Sequence, residues 1–268
     1  MRLLSWNVQW CRGIDGKVDP ARIAAEARRL ADPDVICFQE VAAGYRELPG
    51  SAGEDQFEIL QGEFPGYAAF SVCPVDRAGK RFGNLLLTRL PVGRVLRHSL
   101  PWPPAPEVPS MPRAAVEAVV DAPFGPLRVL TTHLEYYSAE HRAAQVGRLR
   151  AIHAEACSER QLMGEAGPFQ LQQPLPKSAI VCGDFNFRPE DPLHGRVCFG
   201  GFADAWRSLH PELPHPHTFR VHEREPGEEP YCCDFVFVTQ DLVPRLRSMR
   251  IDAANRASDH QPVIVELR

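Results

Sequence analysis

The chain has 268 residues, 44% of them hydrophobic and 24% charged, with a formal charge of -4 at pH 7. That balance excludes a disordered chain and a histone-like basic binder, and the lack of any repeat period excludes solenoids and coiled coils. A chain of this length buries a sizeable core without disulfides, and no linker-like shift in composition divides residues 1–268, so one domain is expected.

Residues 2–8 (RLLSWNV) read as a strand. The N-terminus has no signal-type apolar region, and no window approaches the roughly 18 apolar residues that span a bilayer, so a cytoplasmic monomer without membrane insertion is expected. Asp19-Pro20 opens a helix with an apolar stripe of Ile23, Ala24, Ala27 and Leu30. Residues 34–38 form a buried strand ending in Gln39-Glu40. A loop over 44–54 and a short helix over 55–63 follow. Residues 67–75 and 84–92 look like paired strands around the loop DRAGKRFG. The segment 99–112 is proline-dense and cannot be helix or central strand. Strands resume over 113–120 and 127–134, and a helical period runs over 138–160. A polar loop covers 161–177, a buried strand 179–183, and apolar strands over 232–238 and 262–267 close the chain. Many short strands with few helices between them predict two packed sheets with helices outside.

The chemistry is concentrated where the apolar runs stop. LLSWN ends in Asn7, VICFQE in Glu40, VLTTH in His133, and AIVCGDFN in Asp184 and Asn186. The last strand follows Ser258-Asp259-His260. Strand ends are where α/β sheets present ligand sites. Asn, Glu and Asp oxygens favour Mg²⁺ or Mn²⁺, and a lone Asp beside histidines suits water activation and contact with a phosphate. No Walker loop, G-x-G-x-x-G, G-x-S-x-G or H-E-x-x-H motif is present. The eight cysteines lack paired-ligand spacing, so neither a zinc cluster nor a disulfide framework is expected.

Several segments together resemble the endonuclease/exonuclease/phosphatase superfamily. They are SWNV (5–8), FQEV (38–41), GNLLLTRLPV (83–92), THL (132–134), GDFN (183–186), CDFVF (233–237) and SDHQPV (258–263). The resemblance spans residues 5–263 and implies a four-layer α/β/β/α sandwich with a divalent-metal site, Mg²⁺ or Mn²⁺, at one rim. It implies Glu40 as principal metal ligand with Asn7 beside it, and Asp259 holding the metal or its waters from the other side. Asp184 resembles the base that activates water, and Asn186 the amide that orients it. His260 resembles the imidazole on the phosphoryl oxygens, Asp234 its orienting carboxylate, and His133 a second phosphate-side imidazole. The late strand departs from the family pattern: Cys232-Cys233-Asp234-Phe235 stands where many members have Arg-hydrophobic-Asp-Tyr.

The reading is a metal-dependent phosphodiesterase acting by direct attack of water on a phosphate ester, nucleic acid, nucleotide or small diester. A phosphomonoesterase on a nucleotide or sugar phosphate is the alternative within the family, and a non-catalytic phosphate-ligand module the alternative outside catalysis. Asn84, Trp102 and Arg113 are candidate substrate contacts, with the proline-dense segment as a stiff wall carrying Trp102. Thr218 is a candidate support. His98, His141, His153, His194, His210, His215 and His222 read as solvated.

Overall fold

The structure, a computed structural model, describes residues 1–159, 173–222 and 227–268. Most of the loop expected over 161–177 lies outside the described residues. In chain order the elements are β1 (Arg2–Asn7), α1 (Pro20–Ala31), β2 (Val35–Ala43), α2 (Gln56–Glu63), β3 (Ala68–Arg77), β4 (Lys80–Thr88), β5 (Val92–Ser99), β6 (Ala114–Ala122) and β7 (Gly125–His133). Then come α3 (Ala139–Ser158), β8 (Ala179–Asp184), α4 (Pro192–Cys198), β9 (Phe202–Asp204), α5 (Ala205–Leu209), β10 (Asp234–Thr239), β11 (Leu246–Ile251) and β12 (Val263–Leu267).

The strands make two six-stranded sheets, ordered β11-β12-β1-β2-β4-β3 and β5-β6-β7-β8-β10-β9. Each sheet has one parallel pair at its centre, β1 with β2 and β7 with β8; all other neighbours are antiparallel. The central strands are apolar on both faces because both faces are covered. In β2, Val35 and Cys37 point into the layer between the sheets, while Ile36 and Phe38 point under α1 and α2. In β10, Val236 and Val238 face the inter-sheet core and Phe235 and Phe237 face the α3 and α4 side. Two sheets with helices on both outer faces give the α/β/β/α sandwich.

Helix α1 starts as its sequence dictates: Asp19 accepts a hydrogen bond from the Arg22 backbone, Pro20 sits in the first turn, and Ile23, Ala24, Ala27 and Leu30 are buried. Two expected loops are shorter than the sequence indicates. DRAGKRFG is mostly strand, because Ala78 and Gly79 both take positive φ and close a two-residue hairpin whose twist matches the strands. Strands β6 and β7 likewise run to a tight turn at Pro123-Phe124. The strands not anticipated, β5, β9 and β11, all lie at sheet edges, where pairing on one side only and mixed exposure dilute the apolar signal. No helix among the described residues is long and apolar enough to cross a membrane.

Candidate active site

The second sheet sets three chemically active side chains in one row. His133 ends β7, Asp184 ends β8 and Asp234 begins β10; the register pairs His133 with Asp184 and Asp184 with Asp234. The turn after β8 then needs its exact residue types. A Cβ on Gly183 would lie 1.9 Å from the Thr132 carbonyl oxygen, so only glycine lets β8 approach β7 here. Asn186 takes φ of +52°, a conformation asparagine tolerates, and donates from its backbone to Asp184 Oδ1 at 2.9 Å. Its side-chain nitrogen donates to the Leu134 carbonyl (2.9 Å) and lies 3.0 Å from His133 Nε2.

The first sheet supplies Asn7 and Glu40. Pairing of β2 with β4 shifts register between Phe38 and Val41, and Glu40 sits in this bulge with φ of +59°. Without the bulge Glu40 would share Phe38's face, beneath the outer helices; the bulge re-aims it at the rim. Asn7 bridges the sheets: its Nδ2 lies 3.1 Å from Glu40 Oε1 and 3.0 Å from Asp184 Oδ2. Its Oδ1 accepts from the Gln9 backbone at 3.1 Å. The metal-ligand oxygen expected of Asn7 is therefore engaged elsewhere, and its amide nitrogen is what meets the carboxylates.

His260 arrives on the loop before β12. The Trp6 indole donates to its carbonyl (2.9 Å), and the Ser258 hydroxyl donates to the Asn7 carbonyl (2.8 Å) while accepting the His260 backbone N–H (3.2 Å). The ring places Nδ1 2.9 Å from Asp234 Oδ2 and stacks on Phe219 at 4.4 Å between centroids. The Thr218 hydroxyl accepts the backbone N–H groups of Cys233 and Asp234, so Thr218 holds the strand start that carries the carboxylate.

Burial and charge separate the two imidazoles. Burial works against charge on His260, but Asp234 and then Asp184 outweigh it and hold its pKa well above the ordinary value. Burial, then the positive charges of Arg113 and His260, push His133 well below. The site therefore holds one imidazolium and one neutral ring. Burial raises Asp184 to about 6, opposed by His260 and reinforced by Asp234. Burial also raises Asp259 to about 6, with Glu40 adding to the shift, and raises Glu40.

These carboxylates fit a divalent cation. Among the described residues, Glu40 and Asp259 have no Lys or Arg within ion-pair distance. Glu40 accepts from the Asn7 amide at 3.1 Å and has the neutral His133 ring 3.8 Å away, and Asp259 Oδ1 lies 3.2 Å from the Ser258 hydroxyl oxygen. Two half-buried, mutually repelling hard-oxygen donors without a cation are a donor set suited to Mg²⁺ or Mn²⁺.

Glu40, Asp184, Asn186, His133, Asp259, His260 and Arg113 line one cavity of about 260 Å³. Arg113 is buried there, 3.6 Å from Glu135. Asn84 does not line it; its amide donates to the Ala114 carbonyl and ties β4 to β6 beside Arg113. Trp102 does not line it either. Its ring is 51% exposed and its indole donates to Ser110, so it neither walls the site nor packs on the sheet. The proline-dense segment is pinned at its base by the Leu100–Arg113 backbone bond, and it reaches the cavity through Met111 and Arg113. The aromatic rim comes instead from Trp10, Phe82, Tyr136, Tyr137 and Phe219. Of these, Tyr136-Tyr137 has a signal in the sequence, because the pair lies three and four residues past the His133 strand end. Three histidines expected in solvent are buried: His141, and the rings of His194 and His215.

The sequence profile of the Endonuclease/Exonuclease/phosphatase family matches residues 4–260. An endonuclease/exonuclease/phosphatase structure from Beutenbergia cavernae is similar at 22% identity and TM-score 0.72, over 100% of this chain and 71% of that one. A mannosyl-6-phosphatase from Bacteroides thetaiotaomicron is similar at 16% identity and TM-score 0.70, over 100% and 99%. D. rerio TDP2, complexed with single-strand DNA product, is similar at 18% identity and TM-score 0.70, over 100% and 98%. No curated protein matches the chain.

Proposed function

Because the chain belongs to the endonuclease/exonuclease/phosphatase family, we propose that it is a divalent-metal-dependent phosphodiesterase that hydrolyses its substrate by direct attack of water. The observation that carries this reading is the meeting, in one cavity, of Asp184 with an imidazolium, a neutral imidazole and two carboxylates that lack a Lys or Arg partner.

Asp184 is the base. Its Oδ1 is held by the Asn186 backbone and its Oδ2 by Asn7, which aims the carboxylate into the cavity. A carboxylate raised to about 6 is ionised at neutral pH and is a stronger proton acceptor than an ordinary one. His260 keeps its proton through Asp234 and presents Nε2–H to a phosphoryl oxygen. Arg113 adds a buried cation on the same wall. Glu40 and Asp259 hold the metal, which when bound supplies Lewis-acid stabilisation of developing charge. No side chain acts as nucleophile: the nearest thiol, Cys233, is buried and its pKa is raised well above the ordinary value by burial.

The diester preference is supported by a neighbouring groove of about 690 Å³. It shares Tyr136, Tyr137 and Asn186 with the cavity and adds Arg188, Arg220 and Tyr231. Arg188 lies over the Tyr231 ring at 4.5 Å. Planar cations and exposed rings suit the second arm of a nucleotidic ester. D. rerio TDP2 with its DNA product is a precedent for such a ligand on a similar fold.

The test is a substrate panel with Mg²⁺ and Mn²⁺ comparing bis-p-nitrophenyl phosphate, p-nitrophenyl phosphate and oligonucleotides. Turnover of the diesters, abolished by chelator and by Glu40→Gln, is expected. Turnover of the monoester alone would favour a phosphomonoesterase, and none on any substrate a binding module.

A further inference from the structure

A second polar cluster lies on the opposite face of the catalytic sheet. His194 comes from α4, Asp204 from the junction of β9 and α5, and His215 from the loop after α5. The cluster packs on Phe235, with ring centroids 5.3 Å from His194 and 5.5 Å from His215. Phe235 follows Asp234 in β10, and strand alternation points the two side chains to opposite faces.

The carboxylate of Asp204 is fixed by its own helix. Oδ1 accepts the backbone N–H groups of Trp206 (2.7 Å) and Arg207 (3.1 Å), which caps α5. Oδ2 is left for the rings, and both Nε2 atoms lie 2.7 Å from it. The ligand atoms of all three residues fall within 4.8 Å of one another, with the Phe235 and Phe237 rings packed against the imidazoles. Three elements distant in sequence thus bring two imidazole nitrogens onto one carboxylate oxygen.

We propose that His194, Asp204 and His215 form a second metal site, selective for a borderline cation such as Zn²⁺. The donor chemistry makes the selection. Two imidazoles and one carboxylate suit Zn²⁺, whereas Mg²⁺ requires hard oxygen donors such as those at Glu40 and Asp259. Zinc bonds of about 2.0–2.2 Å place tetrahedral ligands roughly 3.4 Å apart, so each of the present 2.7 Å separations opens by about 0.7 Å on binding. Binding uses the Nε2 lone pair of each ring, so a proton that Nε2 shares with Asp204 moves to Nδ1 or is released to solvent. A water completes the shell, because the three protein donors leave one tetrahedral position open.

The ion acts on the catalytic side through the chain. Thr218, which supports Asp234, and Phe219, which stacks on His260, follow His215 by three and four residues. A metal at His215 anchors the segment that carries both.

The full-length protein, stripped with chelator and refilled with excess Mg²⁺, is titrated with ZnCl₂ by calorimetry and by melting temperature. One tight Zn²⁺ equivalent that survives the Mg²⁺ is expected, with a rise in melting temperature. His215→Ala should weaken it by roughly 10²-fold or more, at least the cost of losing a ligand's hydrogen-bonding support. Glu40→Gln should leave it in place. The proposal is overturned by the absence of that equivalent, or by its loss in Glu40→Gln and survival in His215→Ala. Should His215→Ala not fold, zinc-edge absorption of the wild type decides: a shell with two imidazoles is expected, and an all-oxygen shell overturns the proposal.

Discussion

The same chemical pair, an aspartate hydrogen-bonded to a histidine, occurs on both faces of the second sheet and is used differently. Asp204 has every acceptor direction filled: two backbone N–H groups on one oxygen and two rings on the other. Burial acts to raise its pKa, but the bonds from His194 and His215 hold it below the ordinary range. Asp234 accepts His260 on Oδ2, while its Oδ1 is buried with no hydrogen-bond partner among the described residues. Around it Asp184, Asp259 and Glu40 are all pushed up in pKa. In the metal-free protein one cluster is satisfied by hydrogen bonds and contributes stability. The other is crowded with like charge and stores the cost of holding it, as sites arranged for reaction do.

This contrast is broken most directly at the two carboxylates. Asp184→Asn should lower kcat by on the order of 10²–10⁴ with little change in KM, the share of a positioned proton acceptor. In metal-free protein at pH 7 to 8 the same substitution should raise the melting temperature. The folded pKa of Asp184, about 6, exceeds its unfolded value, so its ionised form costs stability above that pH, and a neutral isostere removes the cost. A rise in KM with unchanged kcat would make Asp184 a binder instead of a base.

Asp204→Asn should do the reverse. Asparagine still caps α5 through its oxygen but turns an amide NH₂ towards the two rings in place of their acceptor, so stability should fall by about 3–5 kcal/mol, the range for breaking a buried pair. Urea unfolding measures it, and activity per folded molecule should fall far less than in Asp184→Asn. Equal losses of activity in the two variants would erase the distinction.

The pH dependence of the metal-free protein should show both signs. Asp184 and Asp259, with folded pKa values of about 6, add stability as the pH falls through that value towards their unfolded pKa. Asp204, held low, contributes stability above its unfolded pKa of about 3.9 and loses it only as the pH falls further. A melting-temperature maximum between about pH 4 and 6 is expected. In Asp204→Asn the acid-side fall should be shallower.

How much of this was legible in the sequence follows from where each residue lies. Asn7, His133 and Asp184 end central strands that are buried on both faces, so an unbroken apolar run stopping at a polar residue marks them. Glu40 is visible as a strand-end carboxylate, but the bulge that aims it is not, because a positive φ at a non-glycine residue is imposed by pairing with β4. The direction of Asn7's amide depends on Gln9, a rim residue with no periodic signal. His194 and His215 flank Asp204 at ten and eleven residues, a spacing that belongs to no regular element, and only packing on Phe235 brings the three together. Trp102 misled because a tryptophan beside prolines promises a rigid wall, whereas the segment meets the cavity only at its base.

The smallest expected effect lies at the rim and separates two exposed aromatics. Tyr137 is 59% exposed and lines both the cavity and the groove; Trp102, almost equally exposed, lines neither. Neither ring is deeply buried, so alanine at either position should move the melting temperature little. Stacking of a base on an aromatic ring contributes roughly 1–3 kcal/mol, so Tyr137→Ala should raise KM for an oligonucleotide about 5-fold or more. Its kcat should hold if the ring binds the distal arm equally in ground state and transition state. Trp102→Ala should leave both constants unchanged. Steady-state kinetics on an oligonucleotide and on bis-p-nitrophenyl phosphate would show whether the Tyr137 effect is confined to the longer substrate. A Trp102 effect as large as that of Tyr137 would mean that the substrate runs along the proline-dense segment and not along the Tyr136–Arg188 groove.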